Sequence, residues 1–177
     1  MTPLPDQRDV QAAIAAAIAH EAPLLHTGPG ANAVALLRAL CQQESSGGAR
    51  WPATLHEQGY CYGGPYYTGD GPGGRPGDDV LREQTRLWGC LAHQSWGPWQ
   101  LLYITAYEQG FRGDPVLLRD PAISCPFVVK LLNRRVGDVM ASPGPEHFLR
   151  AYNGGGRPAY VTEAMRHYSA AMGDLDA

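Results

Sequence analysis

The sequence contains no apolar run near the roughly 20 residues that a membrane-spanning helix needs, which excludes a span of that kind. The alanine-rich stretch 10–19 is too short. It is preceded by Asp6 and Asp9 and lacks the basic start of a secretion signal. The expectation is therefore that the protein leaves the cell by another route, or that a leader or a larger parent chain precedes this sequence. Charge of one sign is also scarce: 14 basic residues against 17 acidic ones leave a formal net charge of −3. The one dense basic spot, Arg134-Arg135, reads as a solvated helix end. Nucleic acid, which calls for a clustered basic surface, is not an expected partner. There is no internal repeat. The Gly-rich run 63–77 is not followed by Gly-Lys-Ser/Thr, which argues against a phosphate loop.

What remains is a chain of 177 residues with an ordinary apolar share, the usual size of one domain with one core. Four cysteines, Cys41, Cys61, Cys90 and Cys125, allow three full pairings, and four buried thiols fit equally well. Helical periodicity dominates both ends. Val10, Ile14, Ala17 and Ile18 share one face of a first helix. Asn32 can cap a second, in which Val34, Leu37, Cys41 and Glu44 follow helical spacing until Gly47-Gly48 stops it. A third helix is expected over 99–109, and a fourth from Asp120 as N-cap and Pro121 as first position, with Ile123, Phe127, Val128 and Leu131 inward. A short helix over 148–152 precedes a last one with Tyr160, Val161, Ala164, Met165 and Tyr168 on one stripe. Between the ends, residues 47–97 are rich in Gly, Pro, Tyr and Trp and read as an irregular insertion that could hold a small β-hairpin. The fold class expected is mainly α, one domain spanning 1–177.

Glu44 is the most informative residue. It continues an apolar stripe, so its side chain should face inward, and it sits in the last turn of its helix. The negative end of the helix dipole and partial burial both disfavour the carboxylate. That is what a general acid working near neutral pH requires. The plain alternative is an exposed or arginine-paired terminal glutamate.

Three separated motifs change the balance. They are Gln43-Glu44-Ser45-Ser46, Ser95-Trp96-Gly97-Pro98-Trp99-Gln100-Leu101 and Ala151-Tyr152-Asn153-Gly154-Gly155. Together, and in this order, they resemble the Glu-Ser, Gly-Leu-Met-Gln and Ala-Tyr-Asn segments of the soluble lytic transglycosylases and the related goose-type lysozymes. Thr105-Ala106 and Gly110 follow the second motif as in that family, and Asp120-Pro121 fits its connector. Pro98-Trp99 stand where the family usually has Leu-Met, and the stretch between the first two motifs is longer than in its plainest members.

The resemblance implies a lysozyme-like fold and cleavage of the β-1,4 bond between N-acetylmuramic acid and N-acetylglucosamine in peptidoglycan. Glu44 would act as acid and then base, leaving 1,6-anhydromuramoyl ends and needing no cofactor. The glycan strand would be the partner, met at the cell wall. Tyr152 would hydrogen-bond Glu44 and hold its rotamer. Asn153 and Gln100 would offer amides to sugar hydroxyls and N-acetyl groups; a helix C-cap and a surface polar residue are their plain alternatives. Ser45 could orient Glu44 or the substrate, or serve only as a helix-end hydroxyl. Tyr103 could stack on a sugar or pack inside.

A second carboxylate would favour a hydrolytic muramidase instead, because an inverting enzyme places its base about 6.5–9.5 Å from the acid. Asp70, Asp78 and Asp79 are the candidates, although Gly-rich turns favour aspartate for backbone reasons. A non-catalytic wall-binding module is the third reading. His56, Cys61, Cys90 and His93 have zinc-ligand chemistry without tight spacing, so no metal is expected, and a Cys61–Cys90 bridge is the better account of the two cysteines. Trp88, Trp96 and Trp99 could line a sugar groove or anchor the core.

Overall fold

The computed structural model describes residues 7–48, 78–154 and 158–176. Over these residues the chain is mainly helical, with one two-stranded antiparallel sheet. Helix α1 spans Gln7–Glu21, and the face expected to point inward does: Val10, Ile14, Ala17 and Ile18 are all buried. Helix α2 spans Ala33–Ser45 and begins as expected, with the Asn32 side chain accepting from the Ala35 N–H at 3.0 Å. Ala35, Leu36, Leu37, Ala39 and Leu40 have no exposed surface, so α2 is enclosed on nearly every side. It ends where Ser46, Gly47 and Gly48 take positive φ in succession.

Helix α5, Pro121–Leu132, has the expected Asp120 cap, which accepts from the Ala122 N–H at 2.8 Å. A π-turn, Asn133–Gly137, continues it. Helix α6 spans Pro145–Tyr152 and α7 spans Pro158–Asp176. The main packing pairs are α2 against α7 and α1 against α5. At one end of α2 the Asn32 N–H donates to the Tyr168 hydroxyl, and at the other Glu44 meets Tyr160. The two helices are therefore antiparallel.

Two expectations need correction. The stretch 47–97 is not irregular throughout, because helix α3 occupies Asp78–Trp88 and a 3-10 turn follows over Gly89–His93. Its inward positions Val80, Gln84 and Trp88 include a polar residue at the most buried point. Gln84 accepts the Tyr103 hydroxyl at 2.7 Å, so a hydrogen bond fills the place of an apolar contact, and the helical period is hidden. The expected helix over 99–109 is also shorter. Strand β1, Ser95–Trp96, pairs with β2, Leu101–Leu102, and α4 begins only at Tyr103, running to Glu108. The small hairpin anticipated inside the insertion lies at its far edge, across the second motif.

The cause is the turn at 97–100, closed by the Gln100 N–H donating to the Gly97 carbonyl at 3.1 Å. Gln100 has φ +48, which no α-helix permits. Gly97 has φ +71, and a Cβ there would lie 2.3 Å from the Leu118 carbonyl oxygen. Both its backbone angle and its neighbour thus require glycine.

Cys41 and Cys125 are buried free thiols. Burial pushes the Cys41 thiol up to about 12 and the Cys125 thiol higher still, so neither is a thiolate near neutral pH. Cys61 and His56 lie outside the described residues, as does the side chain of Cys90, and so does the bridge between the two cysteines.

His93 is buried, with Nε2 2.8 Å from the Thr85 hydroxyl. Burial holds the imidazole below its usual 6.5. The unfolded chain therefore protonates at a pH where the folded chain does not. The stability this gives is complete above the unfolded value and is lost as pH falls through the folded one. We expect the unfolding temperature to drop between about pH 7.5 and pH 5, and His93→Gln to reduce that drop. An identical slope in the variant would contradict the assignment.

Candidate active site

An open cleft of about 370 Å³ lies where the end of α2, the hairpin, α4, α5 with its π-turn and α6 converge. Glu44, Ser95, Gln100, Thr105, Arg135, Tyr152 and Asn153 supply its polar wall, and leucines supply much of the rest. Glu44 is the one carboxylate among the described lining residues. A second hollow of about 440 Å³, between α1, α2 and α7, does not include it.

Glu44 is half-buried in the last turn of α2, where its helical spacing placed it. Tyr160, rather than Tyr152, donates to it: the Tyr160 hydroxyl gives a hydrogen bond to Glu44 Oε1 at 2.6 Å. That length is typical of an O–H bonded to a carboxylate. Burial first, then the nearby Glu44 charge and this hydrogen bond, push the Tyr160 phenol far above its usual 10. It therefore stays neutral and remains a donor throughout the accessible pH range. Tyr160 lay on the apolar stripe of the last helix and read as core. Its partner is 116 residues away, and only the antiparallel α2–α7 packing brings them together.

Tyr152 has a different task. Its hydroxyl donates to the Trp99 carbonyl at 2.6 Å, fixing α6 to the 97–100 turn. Burial, and next the Glu44 charge, raise its phenol well above 10 as well. Ser45 reinforces the same turn. Fully buried, it donates to the Pro98 carbonyl at 2.7 Å and accepts from the Gly48 N–H at 2.8 Å. Its hydroxyl is engaged at the helix end, and Ser45 is not among the cleft-lining residues. Trp99 is buried and donates from Nε1 to the Leu37 carbonyl at 2.9 Å. Three side chains, from α2, α6 and the turn itself, thus hold the turn against α2.

Gln100 and Asn153 both line the cleft. Gln100 donates from Nε2 to the Gly97 carbonyl at 2.9 Å. Asn153 caps α6, and its buried Nδ2 has no hydrogen-bond partner. An unpaired buried donor is costly unless a ligand accepts from it. Tyr103 does not line the cleft. It is buried, with its ring edge-on to Phe111 and its hydroxyl on Gln84, so it packs inside and offers no sugar platform. Trp96 and Trp99 are core residues, and Trp88 is partly buried against the core. Asp70 lies outside the described residues, as do the side chains of Asp78 and Asp79, whose backbone opens α3. Among the described residues no three potential metal ligands come together.

Arg135 was not anticipated as a cleft residue. The π-turn after α5 places it, exposed, on the cleft wall, and Nη1 donates to the Ala151 carbonyl at the end of α6, 2.8 Å away. Its signal in the sequence was only the Arg134-Arg135 pair, which gives no direction.

Tyr152→Phe leaves the Trp99 carbonyl without its donor. Thermal unfolding should show a loss of about 1–3 kcal/mol, with the helical content retained. A fully stable variant would mean that this bond does not hold the turn.

Compared with protein-family models, with curated proteins and with solved structures, the chain matches none of them.

Proposed function

We propose that the protein is a lytic transglycosylase with a lysozyme-like fold that cuts the β-1,4 bond between N-acetylmuramic acid and N-acetylglucosamine in peptidoglycan. The observation that carries this reading is the placement of Glu44: a half-buried carboxyl at a helix end, held by a neutral phenol, on the wall of an open cleft rich in hydroxyls and amides. Sugars are bound by such groups, and glycosidic bonds are cleaved by such carboxyls. The three motifs that resemble the transglycosylases contribute Glu44, Gln100, Tyr152 and Asn153 to this one cleft, although they are far apart in sequence.

In the proposed reaction the Glu44 carboxyl gives its proton to the glycosidic oxygen as the bond to C1 breaks, and the electron pair leaves with that oxygen. Positive charge develops at C1 and the ring oxygen. The Glu44 carboxylate then takes the proton of the C6 hydroxyl, whose oxygen attacks C1 and closes the anhydro ring. The proton count balances and no water is consumed. Asn153 Nδ2 suits an N-acetyl carbonyl of the strand.

Purified cell-wall sacculi should be solubilised by the protein and not by Glu44→Gln, with a loss of about a thousandfold or more. Mass spectrometry should find anhydromuramoyl ends. Products carrying only reducing ends would make the enzyme a hydrolytic muramidase. Equal clearance by Glu44→Gln would remove the catalytic assignment, and binding without turnover by both proteins would leave a wall-binding module.

Tyr160→Phe removes the hydroxyl that donates to Glu44 Oε1 and little else. We expect kcat to fall about tenfold with KM within about twofold, the pattern of a positioning group lost from the reacting carboxyl. An unchanged kcat would show that Tyr160 does not prepare Glu44.

A further inference from the structure

The cleft has one feature that neither acid/base chemistry nor the binding of neutral sugars uses. Arg135 is the one cation on its described wall. Its guanidinium is fixed by the Ala151 carbonyl, and none of the ion pairs among the described residues involves it. The other described polar groups of the wall, apart from Glu44, are uncharged. Beside Arg135, at the end of α6, lies Asn153 with its buried unpartnered Nδ2. Two donors, one charged and one orphaned, are thus presented by adjoining turns, across the cleft lining that also holds Glu44.

A strand made only of N-acetylglucosamine carries nothing that needs a cation. A muramoyl sugar bears a lactyl ether at O3 that ends in a carboxyl group. That carboxylate is free where the stem peptide has been removed. Where the stem remains it is an amide, and the nearest carboxylates belong to the stem. A guanidinium recognises either through paired, charge-assisted hydrogen bonds. We propose that Arg135 is the specificity-determining residue of the cleft and selects glycan strands that carry a carboxylate on the lactyl arm of the sugar bound beside Glu44. This rests on the proposed glycan-cleaving role of the cleft. It makes a muramoyl strand, not chitin, the preferred ligand, and it gives Arg135 a task beyond capping α6.

The test is calorimetric binding with the full chain in the Glu44→Gln form, which prevents turnover. Three tetrasaccharides serve as probes: alternating glycan with free lactyl carboxylates, the same glycan with its stem peptides, and the chitin oligomer. Adding Arg135→Gln should weaken binding of at least one carboxylated probe by about tenfold or more, while the chitin oligomer changes by less than about twofold. A loss confined to the bare glycan identifies the lactyl carboxylate, and a loss confined to the stemmed glycan identifies the stem. Arg135→Lys, which keeps charge without the forked geometry, should retain part of the preference. High salt should weaken the carboxylated probe and spare the chitin oligomer in the Glu44→Gln protein itself, a measurement independent of how the Arg135 variants fold. Equal losses for all three probes, or none, would overturn the inference while leaving the glycan cleft standing. If Glu44→Gln binds none of the three, both the inference and the proposed function fall.

Discussion

The structure depends on how the 97–100 turn is fastened to α2. Ser45 reaches the Pro98 carbonyl, Trp99 reaches back to the Leu37 carbonyl, and Tyr152 reaches the Trp99 carbonyl. A turn of this kind has few backbone partners of its own, and buried carbonyls without donors are costly. Here the donors come from the helix that carries Glu44, from the turn itself and from the helix that carries Asn153. The fastening therefore fixes three walls of the cleft relative to one another. Gly97 makes it possible by letting the chain pass against the Leu118 carbonyl, where any side chain would collide.

Around that joint, α2 is the element others are built on. Its interior residues are fully buried, so its position is set by packing on several sides at once. Antiparallel α7 crosses it with Tyr168 at one end and Tyr160 at the other. Two tyrosines on one helical stripe thus perform different tasks, one accepting from the cap residue and one donating to Glu44. Burial and the carboxylate both hold the Tyr160 proton in place, so this hydroxyl remains a donor to Glu44.

What could be read from the sequence was what local chemistry decides. The caps at Asn32 and Asp120, the inward face of α1 and the terminal position of Glu44 follow from side chains acting on their own turn of helix. What could not be read depends on distant partners. Helix α3 is hidden because its most buried inward position is Gln84, whose amide replaces an apolar contact only when Tyr103 is brought to it. The late start of α4 follows from the left-handed backbone at Gln100, which glutamine does not prefer and the fastened turn imposes. Tyr152 and Tyr160 look alike in sequence, and their roles are distinguished by helix packing alone. Ser45 and Tyr103 have the right chemistry for a sugar site and the wrong surroundings.

Departures from local preference gather on one surface. Gln100 holds a backbone angle that costs free energy, Asn153 keeps a buried donor unpaired, and Arg135 sits on a π-turn with its charge directed at a cleft. Gln100 also closes its turn, and Asn153 and Arg135 serve the end of α6, yet each lines the same cavity as Glu44. In a core otherwise well packed and capped, such local conflicts persist where the surrounding structure over-determines them, and they characteristically mark the part of a protein that meets a ligand. The cleft is therefore set apart by more than Glu44: a strained backbone at Gln100 and an orphaned donor at Asn153 gather on the same wall.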